Sequence, residues 1–235
     1  KDTLKFLTHI SEVFRKNINT KIIAITGSCG KTTLKELLGN SLKNISKVNI
    51  SPKSYNNKYG VPLSLFNLNQ DDDFGILEVG MDKKGEIDYL SKIIKPDVSV
   101  ITNINYAHIK NFNNINQIAL AKAEIINNTK VGGYLVLNAD DRFFNFHKKI
   151  AFKHNLKVIS FGIKNTDSNV KLSHIDKVGK NYKIFIKIKN QKIYFLITNN
   201  FQNNIYNILA AIAVMKIFID ISKLSKKTFF NFKIP

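Results

Sequence analysis

The chain has 235 residues, enough for one large domain or two small ones, and its 44% hydrophobic content supports a real core. Thirty-six Lys and Arg against 17 Asp and Glu give a formal net charge of +19, and the single cysteine, Cys29, excludes an internal disulfide and fits a reducing cytoplasm. No apolar run reaches the about 18 residues needed to span a bilayer, and the first residues lack a signal-peptide pattern.

Residues 1–20 read as one amphipathic helix and a connector. Behind them stands the apolar run Ile22-Ile23-Ala24-Ile25, then Thr26-Gly27-Ser28-Cys29-Gly30-Lys31-Thr32-Thr33. A strand over Lys21–Thr26, a glycine-rich turn and a helix over 31–42 aim backbone N–H groups at one spot. The helix N-terminus adds partial positive charge there, which suits a polyphosphate. Gly27 and Gly30 let the backbone bend sharply and approach an anion. Lys31 can reach the β- and γ-phosphates, and the Thr32 hydroxyl can bind Mg²⁺. The position five before Gly30, a glycine in the usual phosphate loop, is Ile25 here, so the loop is a shortened variant.

Further buried strands are expected at 74–78, 98–103, 134–138 and 158–161, alternating with helices at 86–94, 115–126 and 141–154. Short Val/Ile/Leu runs separated by helices indicate a parallel sheet covered on both faces. Pro96 is expected to end the second helix and Gly132-Gly133 the third. After Phe161 the pattern changes. Residues 170–175, 182–188 and 193–197 alternate with period 2 and read as antiparallel strands with one wet face, turning at Asn190-Gln191. A helix over 203–218 follows, then a short helical stretch before Pro235. The fold class is therefore α/β: a mostly parallel sheet flanked by helices, with a small antiparallel subsheet. No internal repeat or long linker is evident.

Several residues can carry chemistry beside the loop. Glu78 ends a central strand at the same sheet edge, where a metal ligand belongs; the alternative is a strand-end carboxylate paired with a lysine. His108 follows another strand end, on the same functional edge, which favours a metal or phosphate role over a core or surface histidine. Lys122 lies mid-helix and reads, on sequence alone, as a solvated lysine. Asn204 and Asn207 open the last long helix, where their amides suit an adenine edge or serve as simple helix caps. The lysines are spread along the chain among Asn and Ile, so the charge reads as compositional drift plus anionic substrates rather than a nucleic-acid partner. Phosphate-backbone binding remains the rival.

Taken together these segments resemble the Mur ligase family. The resemblance rests on Thr26–Thr33, Asn56-Asn57-Lys58-Tyr59-Gly60-Val61-Pro62, Glu78-Val79-Gly80-Met81, Gly85-Glu86-Ile87, Thr102-Asn103-Ile104, Ala107-His108, Ala121-Lys122-Ala123-Glu124-Ile125, Asn138-Ala139-Asp140-Asp141 and residues 204–211. The segments around Asn56 and Met81 point within the family to the branch that joins D-alanyl-D-alanine to UDP-N-acetylmuramoyl-tripeptide in peptidoglycan precursor synthesis. Sister ligases and folate polyglutamate ligases are the alternatives. The resemblance implies an ATP-binding central domain over 21–220. Residues 1–20 would connect from an N-terminal domain and 221–235 would lead to a C-terminal one.

By the same resemblance Thr26, Gly27, Ser28, Cys29, Gly30, Lys31, Thr32 and Thr33 hold the ATP phosphates. Thr32 and Glu78 take one Mg²⁺, and His108 helps with a second. Lys122 is the lysine that the family carbamylates, so Lys31, Lys122 and His108 form the catalytic set. Asn204 and Asn207 contact adenine, while Asn56 and Asn57 lie near substrate. Phe201 and Asn203 depart from the family's glycine and histidine, which touches the adenine geometry. A monomer without nucleic-acid partner or membrane insertion is expected.

Overall fold

A computed structural model describes residues 2–106, 111–198, 204–230 and 232. Its sheet has nine strands among the described residues, in the order β2-β3-β1-β4-β5-β6-β7-β8-β9. The strands are β1 (Lys21–Thr26), β2 (Val48–Ile50), β3 (Phe74–Glu78), β4 (Val98–Ile101), β5 (Tyr134–Asn138), β6 (Lys157–Gly162), β7 (Val170–Val178), β8 (Asn181–Ile188) and β9 (Gln191–Thr198). Pairings from β2 to β7 are parallel, and β7-β8-β9 is antiparallel.

The helices are α1 (Thr3–Lys16), α2 (Lys31–Leu42), α3 (Gly60–Phe66), α4 (Glu86–Ile94), α5 (Ile115–Asn127), α6 (Phe144–Lys153) and α7 (Ile205–Met215). Alternation along the strands divides the core in two. Ile23 and Ile25 of β1 face α2 and α7 in one layer, together with Val98, Val136 and the inner residues of β7–β9. Ile22 and Ala24 face the opposite way, into a layer filled by α3, α4 and α5 with Ala151 of α6. Two faces covered by helices account for the continuous apolar runs in the parallel strands. No helix among the described residues is long and apolar enough to cross a membrane.

Where element limits differ from expectation, side chains explain it. Strand β4 stops at Ile101; Thr102 N still donates to the Thr26 carbonyl of β1, while the side chains of Thr102 and Asn103 hold the phosphate loop. Helix α6 begins at Phe144, since Asp141 uses its carboxylate to accept from Phe143 N (2.8 Å) and Ile104 N (2.7 Å). Helix α5 ends at Asn127, well before Gly132-Gly133: Thr129 donates its hydroxyl to the Ile125 carbonyl and meets Ser99. The hairpin turn sits at Lys189-Asn190, because Ile188 pairs with Gln191 and Lys189 takes φ 51°. Lys95 takes φ 41° after α4, just before Pro96. The chain adds β2 and the seven-residue α3, both too short for a clear periodic pattern. Helix α7 ends at Met215 and gives way to tight turns through Ile219.

The sheet reverses direction of growth at β1. The chain passes from β1 to β2 and β3 on one side, then crosses to β4 on the other. In open α/β sheets the crevice at such a reversal, outside the carboxyl ends of the strands, is where ligands bind.

Candidate nucleotide and cation site

The phosphate loop lies at that crevice. Gly27 has φ 144° and Gly30 has φ 82°, and Gly30 caps the N-terminus of α2 without any side chain. Both positions are also sterically closed. A Cβ on Gly27 would meet Thr102 Oγ1 at 1.9 Å, and one on Gly30 would meet Asn207 Oδ1 at 2.8 Å. The loop is thus clasped from β4 and from α7.

Its fastenings are specific. Ser28 N donates to the Asn103 carbonyl (3.0 Å), and Cys29 N to Asn103 Oδ1 (3.1 Å). The Cys29 carbonyl accepts from Thr102 Oγ1 (2.7 Å) and Asn103 Nδ2 (3.1 Å). Ser28 Oγ donates to the Asn105 carbonyl at 2.9 Å. Lys31 folds back to donate to the Gly27 carbonyl at 3.0 Å, so its ammonium stands over the loop. Thr33 occupies the first turn of α2, and the Cys29 side chain is exposed. The buried Thr26 hydroxyl at the end of β1 has no hydrogen-bond partner among the described residues.

Glu78 closes the site from β3. Its side chain is only 2% exposed. Thr32 Oγ1 donates to its Oε2 (2.9 Å) and Asn56 Nδ2 to its Oε1 (2.8 Å). Among the described residues this buried carboxylate has no cationic partner. A buried charge needs a counter-ion. A carboxylate, a hydroxyl and an amide together form a hard-oxygen set that suits Mg²⁺, which keeps several waters and binds through one or two protein ligands plus phosphate. No cluster of three or more His, Cys, Asp or Glu occurs among the described residues, so a cage made wholly of protein is absent there.

Lys122 overturns the solvated-lysine reading. It is 1% exposed, inside α5. Burial, reinforced by the nearby Lys31 charge and opposed by Cys29, lowers its pKa to about 7. No hydrogen-bond partner for its ammonium occurs among the described residues. Two residues on, Glu124 accepts from Gly85 N (2.8 Å) and Asp88 N (3.1 Å), tying α5 to the start of α4.

Asn204 and Asn207 bond to each other, Nδ2 of Asn207 to Oδ1 of Asn204 at 3.3 Å. Asn204 makes no side-chain cap of α7, which removes the capping alternative for it. Asn57, by contrast, spends its Oδ1 on Tyr59 N (3.1 Å) and Gly60 N (2.9 Å) at the start of α3. Asn56 and Asn57 both line a cavity of about 740 Å³, with Lys31, Lys58 and Tyr59. A second cavity of about 350 Å³ is lined by Asn103, Asn105, Asp140, Arg142 and Tyr206. His108 lies outside the described residues, as do Phe201 and Asn203.

The sequence carried no site role for Thr102 and Asn103 beyond their place in a motif, yet they hold the phosphate loop. Tyr206, in the first turn of α7, also has no mark in the sequence: its hydroxyl donates to Asp140 (3.0 Å), and burial and that bond raise its pKa to about 12. For Thr102 and Asn103 the available signal is a polar pair directly after a strand end.

Comparison with known proteins agrees with this geometry. The family model described as Mur ligase middle domain matches residues 25–215. The UDP-N-acetylmuramoyl-tripeptide–D-alanyl-D-alanine ligase of Buchnera aphidicola subsp. Baizongia pistaciae is 35% identical over 208 residues, covering 88% of this chain and 45% of that protein. The crystal structure of MurF from Acinetobacter baumannii superposes with a TM-score of 0.85 at 28% identity, covering 94% of this chain and 48% of that one. MurF ligase from Thermotoga maritima, solved in complex with ADP, gives a TM-score of 0.84 at 27% identity, with 95% and 52% covered. The chain spans about half the length of these relatives. The family model covers more than half of the chain, and the chain belongs to the Mur ligase family.

Proposed function

We propose that this chain is the ATP-binding core of a ligase that joins D-alanyl-D-alanine to UDP-N-acetylmuramoyl-tripeptide. Residues 21–220 would form the central domain, with 1–20 and 221–235 leading to flanking domains of the intact enzyme. The observation that carries the reading is the convergence of the Gly27–Thr33 loop, the buried Glu78 that Thr32 contacts, and the buried Lys122 close to Lys31 and Cys29. The similarity to the D-alanyl-D-alanine-adding ligases supplies the substrates.

A carboxylate and an amine do not condense at neutral pH without activation. In the proposed reaction the tripeptide carboxylate oxygen attacks the γ-phosphorus of ATP, the bond to the bridging oxygen breaks, and ADP leaves. The D-alanyl-D-alanine amine then attacks the acyl phosphate carbon, phosphate departs, and the amine proton passes to solvent. This chain's residues chiefly position and neutralise. Lys31 and the loop amides receive the phosphates. Thr32 and Glu78 hold a divalent cation, whose charge would offset that of the phosphoryl oxygens. A second cation falls to His108 with Lys122 as its carbamate, as the family resemblance implies. The pKa of Lys122, about 7, supports that modification, because only the free amine adds CO₂. Asn207, beside Gly30, and Asn204, bonded to it, fit the adenine end, and the cavity at Asn56 and Asn57 fits the acceptor peptide.

The nucleic-acid rival and the ligase reading separate in solution. A fluorescent ADP should bind this chain in a Mg²⁺-dependent manner, while random duplex DNA should bind weakly even at about 50 mM salt. Tight DNA binding at about 50 mM salt that falls steeply by about 200 mM, with none of ADP, would reverse the assignment. For the intact protein, phosphate release should require both UDP-N-acetylmuramoyl-tripeptide and D-alanyl-D-alanine. Turnover with a single amino acid, or with glutamate on a folate, would favour a sister ligase.

A further inference from the structure

Lys35 is a fully buried lysine on α2 that no phosphate, cation or acceptor role explains. It lies one turn after Lys31 and three residues after Thr32, on the helix that begins at the phosphate loop. Its ammonium donates to the Ser51 carbonyl at 2.6 Å and to the Lys53 carbonyl, and stands 3.3 Å from Glu36 Oε1. Two carbonyls accept hydrogen bonds from it, and the Glu36 carboxylate adds an ion pair. A buried charge is costly to keep, and an apolar residue of similar volume would pack there at least as well. The lysine therefore does something that packing does not.

What it holds is the segment that delivers Asn56. Another turn along α2, a Cβ on Gly39 would meet Ile50 at 2.5 Å, so the helix lets β2 approach closely at that point. The chain then leaves β2 across Lys35. Lys53 takes φ 43°, an uncommon backbone state for a lysine, and presents its carbonyl to that ammonium. Three residues later Asn56 reaches Glu78 Oε1, and the Asn56 carbonyl accepts from Gly80 N at 2.8 Å. Ser51 also contributes directly, its Oγ accepting from Glu78 N at 3.3 Å. Glu78 is thus gripped from Thr32 on α2 and from Asn56 and Ser51 on the segment that Lys35 pins to α2.

We propose that Lys35 is a positioning residue: its buried ammonium locks residues 51–56 onto the phosphate-loop helix and so fixes the Glu78 carboxylate for a divalent cation. The inference rests on the nucleotide and cation reading above. It assigns no contact with nucleotide to Lys35 itself. Residues that orient a metal ligand typically change metal affinity by about 10- to 100-fold when removed.

The test is Lys35→Met in the whole chain, with fluorescent ADP as the probe and Mg²⁺ as the titrant. The Mg²⁺ midpoint should rise about tenfold, while ADP affinity measured in EDTA should stay within about twofold, because Lys31 and the loop amides are untouched. A folded variant with an unchanged Mg²⁺ midpoint overturns the proposal. So does an equal loss with and without Mg²⁺, which would mark a merely structural lysine. Should K35M not fold, Lys53→Pro decides: the position is exposed, proline cannot adopt φ 43°, and the carbonyl must swing off an intact Lys35. K53P should show the same Mg²⁺ shift, and an unchanged midpoint there overturns the idea. If wild-type chain shows no Mg²⁺-dependent ADP binding, the functional reading fails first. If it does and the variants match it, only the role of Lys35 fails.

Discussion

Gly27 and Thr102 are locked against each other: a Cβ on the glycine would fall 1.9 Å from the threonine Oγ1, which already donates to the Cys29 carbonyl. With φ at 144° as well, Gly27 has neither room nor backbone freedom for a side chain. Gly27→Ala should therefore push Thr102 off Cys29 and distort the loop. The expected cost is about 2 kcal/mol, from overpacking and an unfavourable backbone, or about 4–8 °C in Tm for a chain of this size. Thermal melts and ADP titration check it. A variant with wild-type Tm and ADP affinity would show that the clasp does not matter.

Glu78 makes a contrasting prediction, in which stability and function separate. Its buried carboxylate has no cation among the described residues, so Glu78→Gln removes an uncompensated charge. The amide keeps both neighbours: its oxygen accepts from Asn56, and its NH₂ donates to Thr32. In EDTA the variant should be more stable by about 1 kcal/mol. In Mg²⁺ with ADP the order should reverse, since wild type gains binding energy that the variant cannot. Melts under the two conditions test this, and equal responses to Mg²⁺-ADP would remove Glu78 from the cation site.

Lys122 gives a pH prediction whose sign follows from its depressed pKa. The unfolded lysine holds its proton to about pH 10.5, whereas the folded one releases it near pH 7. Between those values the unfolded state binds more protons, so stability conferred by this residue rises with pH across the window and is lowest below pH 7. The stability of wild type relative to Lys122→Met should improve from pH 6.5 to pH 9. ¹³C-bicarbonate should also give a carbamate NMR signal at pH 8 that Lys122→Arg abolishes. Flat relative stability and no such signal would contradict both the burial and the modification.

Cys29 lies exposed inside the phosphate loop. Alkylation with N-ethylmaleimide should block ADP binding, and prior Mg²⁺-ATP should protect the thiol from reaction. Mass spectrometry of the modified protein with parallel ADP titrations tests this; fully alkylated protein with unchanged affinity would place the nucleotide elsewhere.

Much of this was legible in the residues because local pattern and tertiary structure agree. Strands β1, β3 and β5 are continuous apolar runs buried on both sides, and α2 and α4 begin at glycines that also mark turns. The phosphate loop was equally readable, since the order strand, glycine turn, Lys-Thr and helix is itself the chemistry. Lys122 was not. Nothing local distinguishes it from the other helix lysines of so basic a chain, and its burial comes from packing of α5 on the sheet. Lys35 escaped for the same reason. Asn57 looked like Asn56, but only the fold shows that one amide caps α3 while the other reaches Glu78. Short elements such as β2 have too few residues to display a period.

The most direct measurement is a crystal structure of this chain with a non-hydrolysable ATP analogue and Mg²⁺. The account predicts phosphates seated on the amides of residues 27–33, and Mg²⁺ at about 2.0–2.1 Å from Thr32 Oγ1 with Glu78 facing it. A nucleotide bound elsewhere, or a cation remote from Thr32 and Glu78, would contradict it.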